Sequence, residues 1–238
     1  MINLGRFFFR YRNVLGPAVF VLAVALSRPF YPFASEDLNI AFDVAGGVLA
    51  ILGELLRIVT IGYEYIVRGG KNRAVYAKEL VQGGMFSLCR NPLYVGNILM
   101  AAGLALVINA TAFYLIVIPT IILAYCAIVA AEEAYLRDKF GAQYEDYCAR
   151  VNRWWPRLAR MPAAVAGMRF NWRRVLVKEY TTIFILIGAF FCLWEWSEYS
   201  ERGASALPSA TALLVGATAW FASYLAVRAL KKSSLVRD

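Results

Sequence analysis

Histidine is absent from the chain, and charged residues are scarce, at 17% of 238. Without histidine, Ser-His and Cys-His nucleophile pairs, imidazole acid–base catalysis and the usual zinc sites are excluded. The four cysteines, Cys89, Cys126, Cys148 and Cys192, form no CxxC pair and no disulfide framework. They read as small apolar side chains. No low-complexity tail, internal repeat or long polar stretch marks a soluble domain. What fills the chain is apolar: 61% of residues are hydrophobic, which places it among membrane proteins. The net charge of +9 then reads as basic loops facing an anionic leaflet, not as a nucleic-acid surface.

The hydrophobic runs predict an all-α polytopic membrane protein with about six spans and one cytoplasmic interfacial helix. Met1 to Asn13 is basic and aromatic and reads as an interfacial anchor. The first apolar run is too long and too poorly flanked for a cleaved signal. The expected spans are Val14 to about Ser27, Leu38 to Ile61, Pro92 to Ile108, Thr111 to Ala131, Tyr180 to about Trp196 and Leu207 to about Val227. Gly62 to Gly84 is a mixed-charge connection with Arg68, Lys71, Arg73, Lys78 and Glu79. Glu132 to Val151 is amphipathic and predicts the interfacial helix, closed by Trp154, Trp155 and Pro156. Arg157 to Lys178 is basic and proline-interrupted, a surface for anionic lipid headgroups. Of the 25 lysines and arginines, all but Arg28 and Arg202 fall on the side of both termini, which is the cytoplasm by the positive-inside rule. The division expected is an anchor and first span over residues 1–45, a core over 46–156, and a basic linker with two spans over 157–238.

Within that core, Arg90-Asn91-Pro92 runs directly into an apolar helix. Proline suits a first helical turn and asparagine an N-cap, so free amides and a positive dipole end sit at the membrane surface. Asn109 marks a tight turn, so the third and fourth spans form a hairpin. The start of one, Arg90 to Tyr94, is thereby brought beside the end of the other, Glu132-Glu133. Two polar motifs converging at one cytoplasmic mouth define a candidate site. Glu54 and Arg57 share a face of the second span. Arg57 is expected to face a substrate cavity with Glu54 paired to it.

The ordered set Leu80-Val81, Gly84, Arg90-Asn91-Pro92-Leu93-Tyr94-Val95-Gly96, Gly103, Glu132-Glu133-x-x-Leu136, Phe140-Gly141-x-x-Tyr144-x-x-Tyr147 and Pro156 resembles the integral-membrane methyltransferases typified by isoprenylcysteine carboxyl methyltransferase and phosphatidylethanolamine N-methyltransferase. The resemblance covers about Gly46 to Pro156 and leaves out the last two spans. It implies S-adenosylmethionine as methyl donor in a cytoplasmic pocket, and a lipophilic or prenylated substrate entering from the bilayer. Carried over, cofactor contacts fall on Lys78, Leu80, Val81, Phe86, Asn91, Pro92, Leu93, Tyr94 and Glu132. Arg90, Tyr94 and Glu133 are the expected catalytic residues and Arg57 with Glu54 the substrate-binding pair. Lys78 or the helix N-terminus suits the donor's carboxylate, Glu132 its ribose hydroxyls, and Tyr94 and Phe86 its adenine or sulfonium. A carboxylate acceptor needs no base; an amine would need one, and Glu133 is the nearest. One departure stands out. The arginine with which the carboxyl methyltransferase holds its substrate carboxylate is replaced here by Ile128.

The expected function is therefore methyl transfer to a lipophilic membrane substrate, with a slight preference for carboxyl O-methylation of an isoprenylcysteine-like molecule. Phospholipid amine methylation is the alternative. A non-enzymatic transporter or scaffold is the alternative of another class. Neither nucleic acid nor metal is expected, the oligomeric state is left open, and the location expected is a bacterial inner membrane.

Overall fold

The computed structural model describes residues 1–64 and 75–232. Arg68, Lys71 and Arg73 of the expected connection lie outside the described residues. Eight helices follow one another: α1 Ile2–Leu26, α2 Glu36–Tyr63, α3 Pro92–Ile108, α4 Ile118–Phe140, α5 Ala142–Arg150, the single turn α6 Met161–Ala164, α7 Trp172–Arg202 and α8 Ala210–Lys232. No strand occurs among the described residues. Among the described residues, five helical segments are long and apolar enough to cross a membrane, and the 17-residue α3 is a sixth apolar helix. The protein is an integral membrane protein.

The bundle is built from two antiparallel pairs. In the α2–α3 pair, glycines face each other in two layers. A Cβ on Gly46 would stand 2.6 Å from the Gly103 carbonyl oxygen, and one on Gly53 2.6 Å from that of Gly96. With no side chain in either layer the backbones touch, the usual way for helices to associate where lipid removes the hydrophobic drive. In the α1–α4 pair, Gly5 lies against the backbone of Ala127, while Phe20 meets Phe113 edge-on at 5.6 Å. The pairs close at the end where α1 finishes, in an apolar cluster of Ala23, Val107, Ile108, Phe113, Val117 and Leu193. Asn109, in the left-handed region at φ 40°, turns α3 into the next helix and fastens the turn by donating to the Phe30 carbonyl at 2.6 Å. The α3–α4 hairpin expected from sequence is present.

A π-helical turn, Phe113–Val117, precedes α4. Pro119 supplies the reason: it cannot donate to the Leu115 carbonyl and its ring would press on it, and the wider turn relieves both. Several expected boundaries are corrected. The basic N-terminal segment, expected as an interfacial helix or anchor, is helical and continuous with the first span as the first half of α1. The fourth span does not stop at Ala131: α4 continues through Glu132 and Glu133 to Phe140. The amphipathic pattern read as one helix is thus the end of α4 plus α5, broken at Gly141, where φ is +50°. Likewise α7 starts at Trp172 rather than Tyr180 and runs to Arg202. Asn171 caps it by accepting from the Arg174 amide at 2.8 Å, and the Asn171 amide donates to the Gly62 carbonyl at 2.8 Å. The start of α7 is therefore fastened to the end of α2.

Candidate active site

Between the two pairs, at the end where α2 finishes and α3 begins, lies a cavity of about 470 Å³. Its walls come from seven parts of the chain: α1, α2, the connection after it, α3, α4, α5 and α7. Arg57 arrives on α2, Arg90 to Tyr94 at the start of α3, and Glu132 and Glu133 on α4. Lys78, Leu80, Val81 and Phe86 come from the connection between α2 and α3. Every residue expected from the sequence to touch cofactor lines this one space. Glu54 does not; it lies behind Arg57, 3.7 Å from its Nε.

The polar geometry has three groups. In the first, Tyr94 donates from its hydroxyl to Glu132 at 2.8 Å, and its ring lies 4.9 Å from that of Tyr125. The second centres on Glu133, 4% exposed, which is clamped by two guanidiniums. Arg153 Nε donates to it at 2.9 Å and Arg90 Nη2 stands 3.2 Å away. The hydrogen bond to Glu133 pushes the Arg153 pKa further up. Both Glu133 oxygens are engaged by cations, so the expected role of proton-accepting base is not what this arrangement offers. The third group is Arg57. Its Nε donates to Glu179 on α7 at 2.6 Å, Nη2 pairs with the same carboxylate, and Nη1 donates to Asn97 and to the Leu93 carbonyl. The expected Glu54 pairing is thus the lesser contact, and Glu179 is the principal partner.

Local folding places these groups. Asn91 stands at the N-cap position of α3, but its side chain makes no cap. It donates instead to the Arg153 carbonyl at 3.1 Å, while the Arg90 amide donates to Asn152 at 2.9 Å and the Arg157 amide to Leu88 at 3.3 Å. The chain leaving α5 is thereby laid along Leu88 to Asn91, which carries Arg153 to Glu133. Tyr147 donates to the Phe86 carbonyl at 2.7 Å. Burial, with Cys89 next, pushes the Tyr147 pKa up, so this donor keeps its proton. Burial also raises the Cys89 thiol to about 11. Leu80 packs on the cluster of Tyr144, Tyr147 and Val151.

Sequence reasoning missed several wall residues. Phe9, Arg12 and Asn13 come from α1, Tyr125 from α4, and Thr182 from α7. A signal existed for Arg12, three residues after Phe9 and so on its face; the guanidinium sits 4.3 Å over that ring. Asn97 was similarly available, three residues after Tyr94. Glu179 was hidden because the expected span began at Tyr180, eight residues after the start of α7.

Residues 43–143 match the phospholipid methyltransferase family. Three characterised relatives share parts of it. The cobalt-zinc-cadmium resistance protein CzcN of Cupriavidus metallidurans is 31% identical over 116 residues, 47% of this chain and 51% of the relative. The nickel-cobalt-cadmium resistance protein NccN of Alcaligenes xylosoxydans xylosoxydans is 33% identical over 81 residues, 34% of this chain and 38% of the relative. Protein-S-isoprenylcysteine O-methyltransferase B of Arabidopsis thaliana is 31% identical over 115 residues, 44% and 55%. The chain thus spans about half the length or less of the relatives it matches. No solved structure matches it.

Proposed function

We propose that the protein transfers a methyl group from S-adenosylmethionine to a lipophilic acceptor drawn from the bilayer. The observation that carries this reading is the meeting of Tyr94–Glu132 and Arg90–Glu133–Arg153 on one cavity at the end of the bundle, within a stretch that matches a methyltransferase family.

The residues suit such a donor. A volume of about 470 Å³ lies in the range of small-molecule sites. The wall offers cations for a carboxylate in Arg12 and Lys78, and a carboxylate for hydroxyls or an ammonium in Glu132. Aromatic faces for a purine or a cationic sulfur come from Phe86 and Tyr94. When bound, the donor supplies a methyl on positively charged sulfur, which departs as a neutral thioether. The protein's share is positioning and exclusion of water. Tyr94 holds Glu132 in one orientation. Glu133, fixed between two arginines, holds the Arg90 end of α3 against the chain after α5 and acts as a positioning residue.

The slight preference for carboxyl methylation meets an obstacle in Arg57, whose three nitrogens are already bound by the protein. It has little left for a substrate carboxylate, and Ile128 offers nothing. This removes a support from the carboxylate reading and leaves an amine acceptor as the alternative. Two relatives carry metal-resistance names; among the described residues no group of three His, Cys, Asp or Glu side chains is placed to hold a metal ion. The basic-residue distribution supports cytoplasmic termini, and the two bacterial relatives support a bacterial inner membrane.

Calorimetry of S-adenosylmethionine binding to the detergent-purified protein tests the reading, with Glu132→Ala alongside. Binding by the parent and loss of about tenfold or more in affinity in the variant are expected. A folded parent that binds no donor would leave a likeness of fold, and a transporter or scaffold would lead.

A further inference from the structure

Glu179 has no place in the family-matched stretch, which ends at residue 143. Yet it is fully buried, at 0% exposure, two turns into a membrane-spanning helix. A carboxylate at such a depth is retained where it has a partner. Its partner, Arg57, lines the cavity. The Arg57 stem is itself fixed, since a Cβ on Gly96 would lie 2.6 Å from Arg57 Cγ. From the guanidinium the contacts go on: Asn97 accepts from Arg57 and donates to the Tyr125 hydroxyl at 2.9 Å, and the Tyr125 ring faces Tyr94. Arg57, Asn97 and Tyr125 line the cavity as a row of contacts with Glu179 behind Arg57; Asn97 stands more than a turn into α3, which Arg90 only precedes, and Thr182 borders the same space one turn along α7.

We infer that Glu179 is a positioning residue for the methyl acceptor, acting through Arg57, so that the C-terminal helices complete the active site rather than decorate it. The inference rests on the methyl-transfer reading. Without Glu179 the guanidinium, left with Glu54 at 3.7 Å, loses its principal carboxylate. It would turn toward the aqueous interface, release Asn97, and loosen Tyr125 from Tyr94. The donor end, held by Tyr94–Glu132 and by Glu133 between its arginines, has its own supports and would stay. The defect should therefore fall on the acceptor.

The test uses full-length protein in lipid nanodiscs, with radiolabelled S-adenosylmethionine and two acceptors, N-acetyl-S-farnesylcysteine and phosphatidylethanolamine. Glu179→Gln should bind donor within about twofold of the parent while acceptor kcat/KM falls about tenfold or more, and Glu179→Asp should recover part of the loss. The paired variant Arg57→Gln with Glu179→Gln removes both buried charges at nearly constant shape. It should fold and bind donor yet keep the acceptor defect. Unchanged kcat/KM in Glu179→Gln overturns the inference alone. So does a fall in donor affinity matching the fall in kcat/KM, which would mark a purely structural role. A parent that binds no donor, or methylates neither acceptor, overturns the methyl-transfer reading and the inference with it.

Discussion

Tyr94 carries two duties on one side chain: its hydroxyl fixes Glu132 and its ring packs on Tyr125. Tyr94→Phe keeps the second and removes the first. A hydrogen bond to a charged group contributes about 1.5–3 kcal/mol, so donor affinity should weaken about tenfold while thermal stability changes little, as calorimetry and a melting curve would show. Cys89 makes a prediction of a different kind. Burial raises its pKa from 9.0 to about 11, so above pH 9 the unfolded chain gives up this proton while the folded chain keeps it. Stability then falls with rising pH between about 9 and 11, by at most about 2 to 3 kcal/mol from this group. Cys89→Ala should flatten the decline in melting temperature across that window; an unchanged slope would show that the thiol is not its source. At this scale much of the site was legible, because Arg90 to Tyr94 and Glu132 are chemically loud residues in an apolar chain. Arg57's true partner was not. An acidic residue beside Lys178, at the margin of a hydrophobic run, looks the same whether it faces water or the bundle.

Among the elements, the α2–α3 pair is the rigid part. Its two glycine layers put backbone against backbone, and Gly96 also seats the Arg57 stem. Gly96→Val would force its new atoms onto that stem and onto the Gly53 carbonyl. Overpacking of this sort costs typically 1–3 kcal/mol, so a lower melting temperature with reduced turnover is expected, whereas Gly16→Ala, with open space around it, should be neutral. Helices were easier to find than their ends. Hydrophobicity reports what lipid touches, and Glu132 and Glu133 interrupted it without interrupting α4, because their partners lie in the cavity wall. The division of the last part of α4 from α5 depends on a backbone angle at Gly141, a matter of local conformation to which a hydrophobic pattern is blind. α7 was shortened for the same reason as α4 was: its first two turns are polar and helical at once.

For the molecule as a whole, topology follows from charge. Ser35 and Ala204 lie at the end of the bundle that holds Arg28 and Arg202, and Lys139 lies at the cavity end. On a background with the native cysteines replaced, Ser35→Cys and Ala204→Cys should react with an impermeant maleimide on intact cells, and Lys139→Cys only after permeabilisation. The reverse pattern would invert the protein and move its cavity to the outside. Composition gave the membrane class readily, since 61% hydrophobic residues admit few other solutions. Composition says nothing about which helices are neighbours, and here the pairing is non-sequential: α1 lies on α4, and α7 on α2. That pairing has a consequence for biosynthesis. The cavity takes wall residues from the first helix and from the seventh, so a nascent chain holding only its family-matched portion has an open cleft where the site belongs. The wall of the cavity closes only once α7 has left the translocation machinery and lies beside α2.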